Sequence, residues 1–313
     1  MNKPDVSVVI VSYNVHDFVM DALRTLYRHT DPRVSLEVFV VDNASSDETV
    51  TTVRNEFPIV NLIANAQNKG FPAANNQAFE RATGRYVFML NPDAELVDDS
   101  VGAMVKFMDE NAAYALLAPK LLNSDRSLQR SCWRFPRVYY ILLDAFYLHA
   151  LMPRRTYSEK DWTKPFEAES VSGAAMFFRR EVLQTAKGLD ENLFWIEDID
   201  FCFRIRKSGL KVLYWPLTSI IHHTGQSAKK NYRVSVSNQI FNKIKYARKH
   251  FGFIRAFLVL LISFVHVIYK LLFFGLLSPF KRVYAAKAKA YAWTLLRLFV
   301  QPGSFSNKAI SNE

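Results

Sequence analysis

The first 95 residues alternate between short apolar runs and stretches of helical spacing, which leaves few architectures open. Residues 6–13 and 36–42 are β-branched or aromatic almost throughout, the pattern of strands buried on both faces. Between them Phe18, Ala22 and Leu26, with Val19 and Leu23 alongside, recur at helical spacing over residues 17–28. Ser45-Ser46-Asp47-Glu48 supplies a capped, acidic start for a second helix. A third strand is predicted over residues 60–64, a helix over 72–82 and a strand over 86–90. This alternation predicts an α/β fold: a single mostly parallel central sheet with helices on both faces. Ligands of such sheets bind beyond the carboxyl ends of the strands. Ser12-Tyr13-Asn14, Asp42-Asn43 and residues 91–95 all fall there.

Farther along the pattern is mixed. Residues 124–168 are rich in Arg, Pro and aromatic side chains, with a helix predicted over 139–151. Residues 170–179 are strand-like, with Gly173 inside the run, and a helix is expected over 180–187. The segment from Phe194 to Gly209 begins with acids, ends with Lys and Arg and closes on glycine, the charge order of a helix. A short strand over 212–215 then leads to His222 and His223.

Charge divides the chain. Residues 1–227 carry 25 basic and 28 acidic side chains, whereas residues 228–313 carry 15 and one, so the net charge of +11 splits into −3 and +14. Residues 256–280 of this tail are apolar apart from a few interruptions, chiefly His266 and Lys270. A spanning helix needs about 20 apolar residues, and each flank of Lys270 is shorter. Basic residues interleaved with long aliphatic runs favour an anionic membrane surface over nucleic acid. We order the placements as interfacial attachment first, a helix buried against the rest of the chain second, and a span third. Two cysteines in no metal-ligand spacing fit a reducing compartment, and no N-terminal targeting signal is evident.

Several acids sit where loops leave the predicted sheet: Asp42, Asp93, Glu95 and Asp198. Each also has a plain structural role, since Asn-Pro-Asp is turn chemistry, an acid in a first helical turn offsets the dipole, and Asp200 and Arg204 form an ordinary helix pair. Acids beside a phosphorylated ligand make sense with a cation between them, and hard oxygen ligands with one imidazole suit Mg²⁺ or Mn²⁺.

Seven segments in order resemble family 2 glycosyltransferases of the GT-A fold. They are Val8-Val-Ile-Val-Ser-Tyr-Asn14, Val40-Val-Asp-Asn-Ala-Ser-Ser-Asp47, Asn68-Lys-Gly-Phe-Pro-Ala-Ala-Asn-Asn76 and Leu90-Asn-Pro-Asp-Ala-Glu95. Ser172-Gly-Ala-Ala-Met-Phe-Phe-Arg179, Phe194-Trp-Ile-Glu-Asp-Ile-Asp200 and His222-His-Thr-Gly-Gln-Ser227 complete the set. Together they are most similar to the rhamnosyltransferase-like branch that builds bacterial surface polysaccharides. The resemblance implies that Ser12, Tyr13, Asp42, Gly70, Asn75, Asn91 and Asp93 hold the nucleotide sugar. It implies that Asp93 and His222 ligate Mg²⁺ or Mn²⁺, with Asn91 standing where the family pattern has a further carboxylate. It makes Asp198 the catalytic base and puts Gly173, Ala174, Trp195 and Glu197 on the acceptor and donor-sugar side.

The implied function is inverting transfer of a single sugar, from dTDP-rhamnose ahead of UDP-hexose or UDP-GlcNAc, to a glycan or polyprenyl-linked acceptor. The enzyme is expected at the cytoplasmic face of the cell membrane, without nucleic acid. The catalytic domain is expected over 1–227, with a nucleotide half to about residue 100 and an acceptor half beyond it, and a basic, apolar helical tail over 228–313. A dehydrogenase is disfavoured because no G-x-G-x-x-G follows the first strand, and a nucleotidyltransferase because no glycine-rich basic loop does. A non-enzymatic membrane scaffold leaves Asp42, Asp93, Asp198 and His222 unexplained. A processive synthase would carry Gln-x-x-Arg-Trp after Asp198, and the sequence has none.

Overall fold

The computed structural model describes residues 3–148, 156–157, 159–223 and 232–300. Residues 149–151 of the predicted helix and 224–227 of the last segment lie outside them. The chain forms two compact units. The first comprises Met1–Phe135, Glu159–Glu191 and Glu197–Thr224, the second Pro136–Ser158, Asn192–Ile196 and Gly225–Glu313.

The first unit opens with β1 (Val6–Ser12), α1 (His16–His29), β2 (Leu36–Asp42), α2 (Thr49–Glu56), β3 (Asn61–Ala64), α3 (Phe71–Phe79) and β4 (Tyr86–Leu90). It continues through β5 (Ala94–Leu96), α4 (Ser100–Glu110), β6 (Tyr114–Leu122), β7 (Leu128–Gln129) and β8 (Cys132–Trp133). After α5 (Val138–Phe146), which belongs to the second unit, come β9 (Phe166–Glu167), β10 (Ser170–Val171), β11 (Ala175–Arg179), α6 (Val182–Ala186), α7 (Glu197–Lys207) and β12 (Lys211–His222).

The main sheet has the order β3-β2-β1-β4-β11-β6-β12-β5. Its β3-β2-β1-β4 half is parallel, as the alternation predicts. Beyond β4 the sheet is mixed: β11 runs antiparallel to both β4 and β6. Parallel neighbours require a crossover connection, usually a helix. The chain enters β11 instead through the short strand β10 and a turn. Strand β12 is longer than predicted, because its pairing with β6 resumes after a register shift between Trp215 and Ser219. Pro216, which has no N–H to give a ladder, sits in that irregularity.

Helices cover both faces of this sheet. Val6, Val8 and Ile10 pack with Val19, Leu23 and Leu26 of α1 and Met104 and Met108 of α4. Adjacent residues of β11 point to opposite sides. Phe177 stacks on Tyr86 at 5.1 Å within that cluster, whereas Phe178 meets Phe79 of α3 at 5.7 Å and Phe201 of α7 at 5.3 Å. Each such buried ring is worth roughly 1.5–3 kcal/mol over exposure.

The second unit is helical and includes more than the tail. Helix α5 and residues 192–196 join α8 (Tyr232–Leu277) and α9 (Arg282–Val300). Gly252 (φ 84°, ψ 179°) divides α8 into two helices through a backbone shape that only glycine takes freely. Ile141, Phe241, Ile244, Val259, Val267, Phe274, Tyr291 and Leu298 form its core. The two charged or titratable residues that interrupt the apolar run turn inward. Nδ1–H of His266 donates to the Ala145 carbonyl at 2.9 Å, and the buried Lys270 ammonium donates to the Tyr147 hydroxyl at 2.5 Å. Ile254, Leu258, Leu261, Val265, Leu272 and Leu276 make an exposed stripe along the same helix. Residues 233–277 are long and apolar enough to cross a membrane by length and composition.

Candidate functional site

Three loops at the carboxyl ends of β1, β2 and β4 form one rim. Ser12 and Asp42 close neighbouring strands and lie side by side in the parallel register. Both are buried, and Ser12 Oγ and Asp42 Oδ1 have no hydrogen-bond partner among the described residues, while Asp42 Oδ2 accepts from Ser45 N at 2.9 Å. A buried polar atom left unpaired costs about 1–3 kcal/mol, so this pair suits a ligand that supplies donors and acceptors. The residues just beyond, Asn14 (φ 54°) and Ala44 (φ 68°), hold left-handed backbone. Asn14 is fastened by Ser45 Oγ on its N–H and by Ser46 N on its Oδ1. Tyr13 lies exposed at the rim.

The loop before α3 is tied to the same end. Asn43 donates to Asn68 Oδ1 at 2.8 Å and accepts from Lys69 N at 2.9 Å, and Asn68 Oδ1 also accepts from Gly70 N. Asn75, wholly buried in α3, donates to the Phe71 carbonyl, and its Oδ1 has no partner among the described residues.

After β4 the chain turns through Asn91 and Asp93 into β5, which pairs with β12 so that His222 lies opposite Ala94. That register puts His222 Nε2 3.3 Å from Asp93 Oδ1 and 3.2 Å from Asn91 Nδ2. Gln129 Oε1 can only accept, so His222 Nδ1 carries the proton across their 2.7 Å bond, and Gln129 Nε2 donates back to the His222 carbonyl at 3.1 Å. In the neutral ring the Nε2 lone pair is thereby turned toward Asn91 and Asp93. His223 is occupied differently, between Glu95 at 2.6 Å and Ser124 at 2.8 Å.

Asp198 reaches the same region from the first turn of α7. Residues 170–179 are not one strand: the run breaks between β10 and β11, and the freed Gly173 N–H donates to Asp198 Oδ2 at 3.0 Å. A Cβ at Gly173 would stand 3.3 Å from Met89 Cε, a tight approach to the end of a flexible side chain, and in ordinary contact with Asp198 Cβ at 3.4 Å. The next residue, Ala174, accepts from Asn91 N at 2.8 Å. A continuous bonded path thus runs from Asp198 through Gly173, Ala174 and Asn91 to His222 and Asp93. Glu197 begins α7 beside Asp198, and Asp200 forms its ion pair with Arg204 at 2.7 Å. Trp195 belongs to the helical unit and carries a left-handed φ of 78°.

Among the described residues no three His, Cys, Asp or Glu side chains gather as a metal cluster. Asp93 and His222 supply one carboxylate oxygen and one imidazole nitrogen. Mg²⁺ and its relatives are commonly held by one or two carboxylates together with substrate phosphates, so this donor pair fits a cation that arrives with a diphosphate. Neither cysteine offers a nucleophile, since burial raises the Cys202 thiol to about 12 and Cys132 well above its ordinary value. Sequence reasoning missed Gln129, which lies in an irregular stretch with no motif around it, and Asn43 and Asn68 as a clamp.

This sheet has the GT-A fold. A mannosyltransferase of Pyrobaculum calidifontis, solved with GDP-Man and Mn²⁺, superposes with a TM-score of 0.56 at 19% identity, over 96% of this chain and 89% of that one. Residues 7–186, more than half of the chain, match the family described as Glycosyl transferase family 2, and the chain belongs to that family. It is 25% identical to the N-acetylglucosaminyl-diphospho-decaprenol L-rhamnosyltransferase of Mycobacterium tuberculosis, over 72% of this chain and 78% of the relative. It is 23% identical to a low-salt glycan biosynthesis hexosyltransferase of Haloferax volcanii, over 76% and 77%.

Proposed function

We propose that this glycosyltransferase moves one sugar, with inversion, from a nucleotide-sugar donor to a glycan or polyprenyl-linked acceptor in bacterial cell-surface glycan synthesis. The bonded path joining Asp198 to Asp93 and His222 carries this reading, because it gathers a base and a metal-binding pair from distant parts of the chain. Ser12 and Asp42 take the nucleoside, with Tyr13 at its edge, and the loop from Asn68 through Gly70 to Asn75 lines the sugar-phosphate side. Asp93 and His222 Nε2 would hold Mg²⁺ or Mn²⁺, which when bound neutralises charge on the leaving diphosphate.

Asp198 acts as general base. Its carboxylate takes the proton of the acceptor hydroxyl as that oxygen bonds to the anomeric carbon. The bond from that carbon to the diphosphate oxygen breaks on the opposite side, and the diphosphate leaves with the electron pair. The Gly173 N–H fixes the carboxylate, while Ala174 and Glu197 flank the acceptor and donor sugar. The nucleotide half extends to about residue 100 and the acceptor half over 101–227.

The name of the mycobacterial relative supports an L-rhamnosyl donor, for which dTDP-rhamnose is the candidate ahead of UDP-hexose and UDP-GlcNAc, and a lipid-diphosphate acceptor. The tail lies in the cytoplasmic face of the membrane, which the outward apolar stripe and the inward turn of His266 and Lys270 support. A panel of these nucleotide sugars with Mn²⁺, scored by release of nucleoside diphosphate, tests the activity. One donor should turn over well above the rest. Absence of turnover with every donor, with and without acceptor, contradicts the reading.

A further inference from the structure

The helical unit is almost without acids. Asp144 and Glu313 are the only two in its sequence, and neither α8 nor α9 carries one. Arg297 of α9 accordingly meets no carboxylate among the described residues. Its Nη1 donates to Ser237 Oγ of α8 at 3.1 Å, the one hydrogen bond it makes among them. Its guanidinium carbon lies 4.8 Å from the centre of the Trp293 ring, one turn back on α9, and 5.0 Å from that of Phe241. Arg233 of α8 brings a second guanidinium to the same indole, at 5.0 Å. Arg297 is half-buried, and that burial lowers its pKa with no carboxylate to pull it back.

Packing alone does not explain a cation here. Leucine or methionine would fill the space beside Phe241 and Trp293 without the cost of drying a charge. Cation–π contacts recover part of that cost, yet they gather two like charges around one ring, where they repel. An anion beside both guanidinia removes the repulsion. Arginine has five N–H groups, and Ser237 takes one of those on Arg297.

The surroundings narrow the choice of anion. Leu296, Phe299 and Val300, all within a turn of Arg297, lie exposed. A nucleic acid or an acidic peptide would leave them in water. A lipid covers them with its chains and presents its charge at headgroup depth, the level that tryptophan and arginine favour. Among lipid anions a phosphate offers more acceptor oxygens than a carboxylate, and arginine's planar fork meets it with two parallel bonds.

We propose that Arg297, with Arg233 and Trp293 beside it, forms a binding site for the phosphate of a membrane lipid. The site lies wholly in the helical unit and rests on the reading of that unit as membrane-attached. Attachment by charge needs only the sum of the basic residues, whereas this site needs one guanidinium in one place.

Isothermal titration of the full chain in a neutral detergent measures the site apart from any bilayer. The probes are dioctanoyl phosphatidate and dioctanoyl phosphatidylglycerol, with octanoate as the carboxylate arm and inorganic phosphate as the free anion. At least one of the two phospholipids should bind about tenfold or more tighter than octanoate or inorganic phosphate. Arg297→Gln should weaken it by about tenfold or more, and Arg297→Lys, which keeps the charge and loses the fork, by roughly threefold or more. Arg282→Gln removes an equal charge from the exposed start of the same helix and should change binding by less than about twofold. Equal losses from Arg297→Gln and Arg282→Gln would reduce the site to diffuse attraction and overturn the proposal. Octanoate or inorganic phosphate binding as tightly as the phospholipids would overturn it too, as would no binding of either phospholipid.

Cosedimentation with vesicles of phosphatidylcholine, alone and with added phosphatidate, tests the attachment by itself. Sedimentation together with lipid binding that ignores Arg297 would sink the site and spare the attachment. No sedimentation with either vesicle, alongside binding in detergent that depends on Arg297, would sink the attachment and leave the site.

Discussion

Gly173 donates its backbone N–H to Oδ2 of Asp198 at 3.0 Å, and the two residues are close enough that a methyl group at Gly173 would stand 3.4 Å from the Asp198 Cβ. The turn between β10 and β11 therefore fixes one carboxylate oxygen and sets how near α7 approaches the sheet. Asp198 also accepts from its own following N–H at 2.7 Å through Oδ1. Backbone donors on both oxygens hold the side chain in one rotamer before any acceptor arrives.

Gly173→Val should displace Asp198, because its methyl groups reach beyond a Cβ that already stands 3.3 Å from Met89 Cε and 3.4 Å from Asp198 Cβ. A misplacement of 1 Å can cost ~10²-fold in rate, so we expect a fall of about tenfold in kcat with donor affinity unchanged. Steady-state kinetics with a separate donor-binding measurement distinguishes this from unfolding. A loss of donor affinity with kcat intact would put Gly173 in another role.

Gln129 holds His222 by both its ring and its carbonyl. Removing such an outer partner typically costs about 10–100-fold in metal affinity. Gln129→Ala should raise the half-saturating Mn²⁺ concentration by that factor, with turnover recovering at high Mn²⁺, and chelation should abolish transfer by the wild type. Full activity in excess EDTA would remove the metal from the account.

The exposed stripe on α8 predicts where lipid attachment resides. Leu261→Glu combined with Leu272→Glu withdraws two side chains worth roughly 1.5–3 kcal/mol each when buried, so vesicle partitioning should fall by about a hundredfold or more. Cosedimentation with anionic vesicles at low and high salt reads both the apolar and the basic contribution. Unchanged sedimentation would refute attachment through this face.

Acid sensitivity should follow Arg85, which pairs with Asp5 at 2.8 Å and Asp109 at 2.6 Å. Burial pushes both carboxyls up, but their bonds to Arg85 and neighbouring groups outweigh it and hold them below the ordinary value. A depressed folded pKa stabilises above the unfolded value of about 3.9 and loses that contribution as pH falls through the folded value. The Tm difference between wild type and Arg85→Ala should thus be full near neutrality and shrink on descending below about pH 4. A constant difference from neutral to acid pH would contradict the pairing.

The parallel half of the sheet was legible because β1, β2 and β4 are buried on both faces and the loops at their carboxyl ends carry polar residues. Asp42, Asp93, Asp198 and His222 stood out for the same reason. Other features depend on contacts distant in sequence. Nothing local marks Gln129 as the partner of His222, since the bond spans 93 positions. The run from Ser170 to Arg179 has the composition of one strand, and its break at Gly173 follows from the approach of α7. Residues 136–148 and 192–196 join the tail helices through contacts distant in sequence, such as His266 to the Ala145 carbonyl and Asn242 to the Phe194 carbonyl, that no periodicity announces. The left-handed backbone at Trp195 is likewise invisible in a motif that specifies residue types alone.

The central claim is that Asp198 supplies the base for a donor held by the Asp93 and His222 side of the same site. Its most direct test is Asp198→Asn, assayed in parallel for nucleotide-sugar binding and for transfer. A general base typically contributes about 10²–10⁴-fold, so transfer should fall by that factor while donor affinity with Mn²⁺ stays within about twofold of wild type. Transfer at a near-normal rate in this variant would contradict the account.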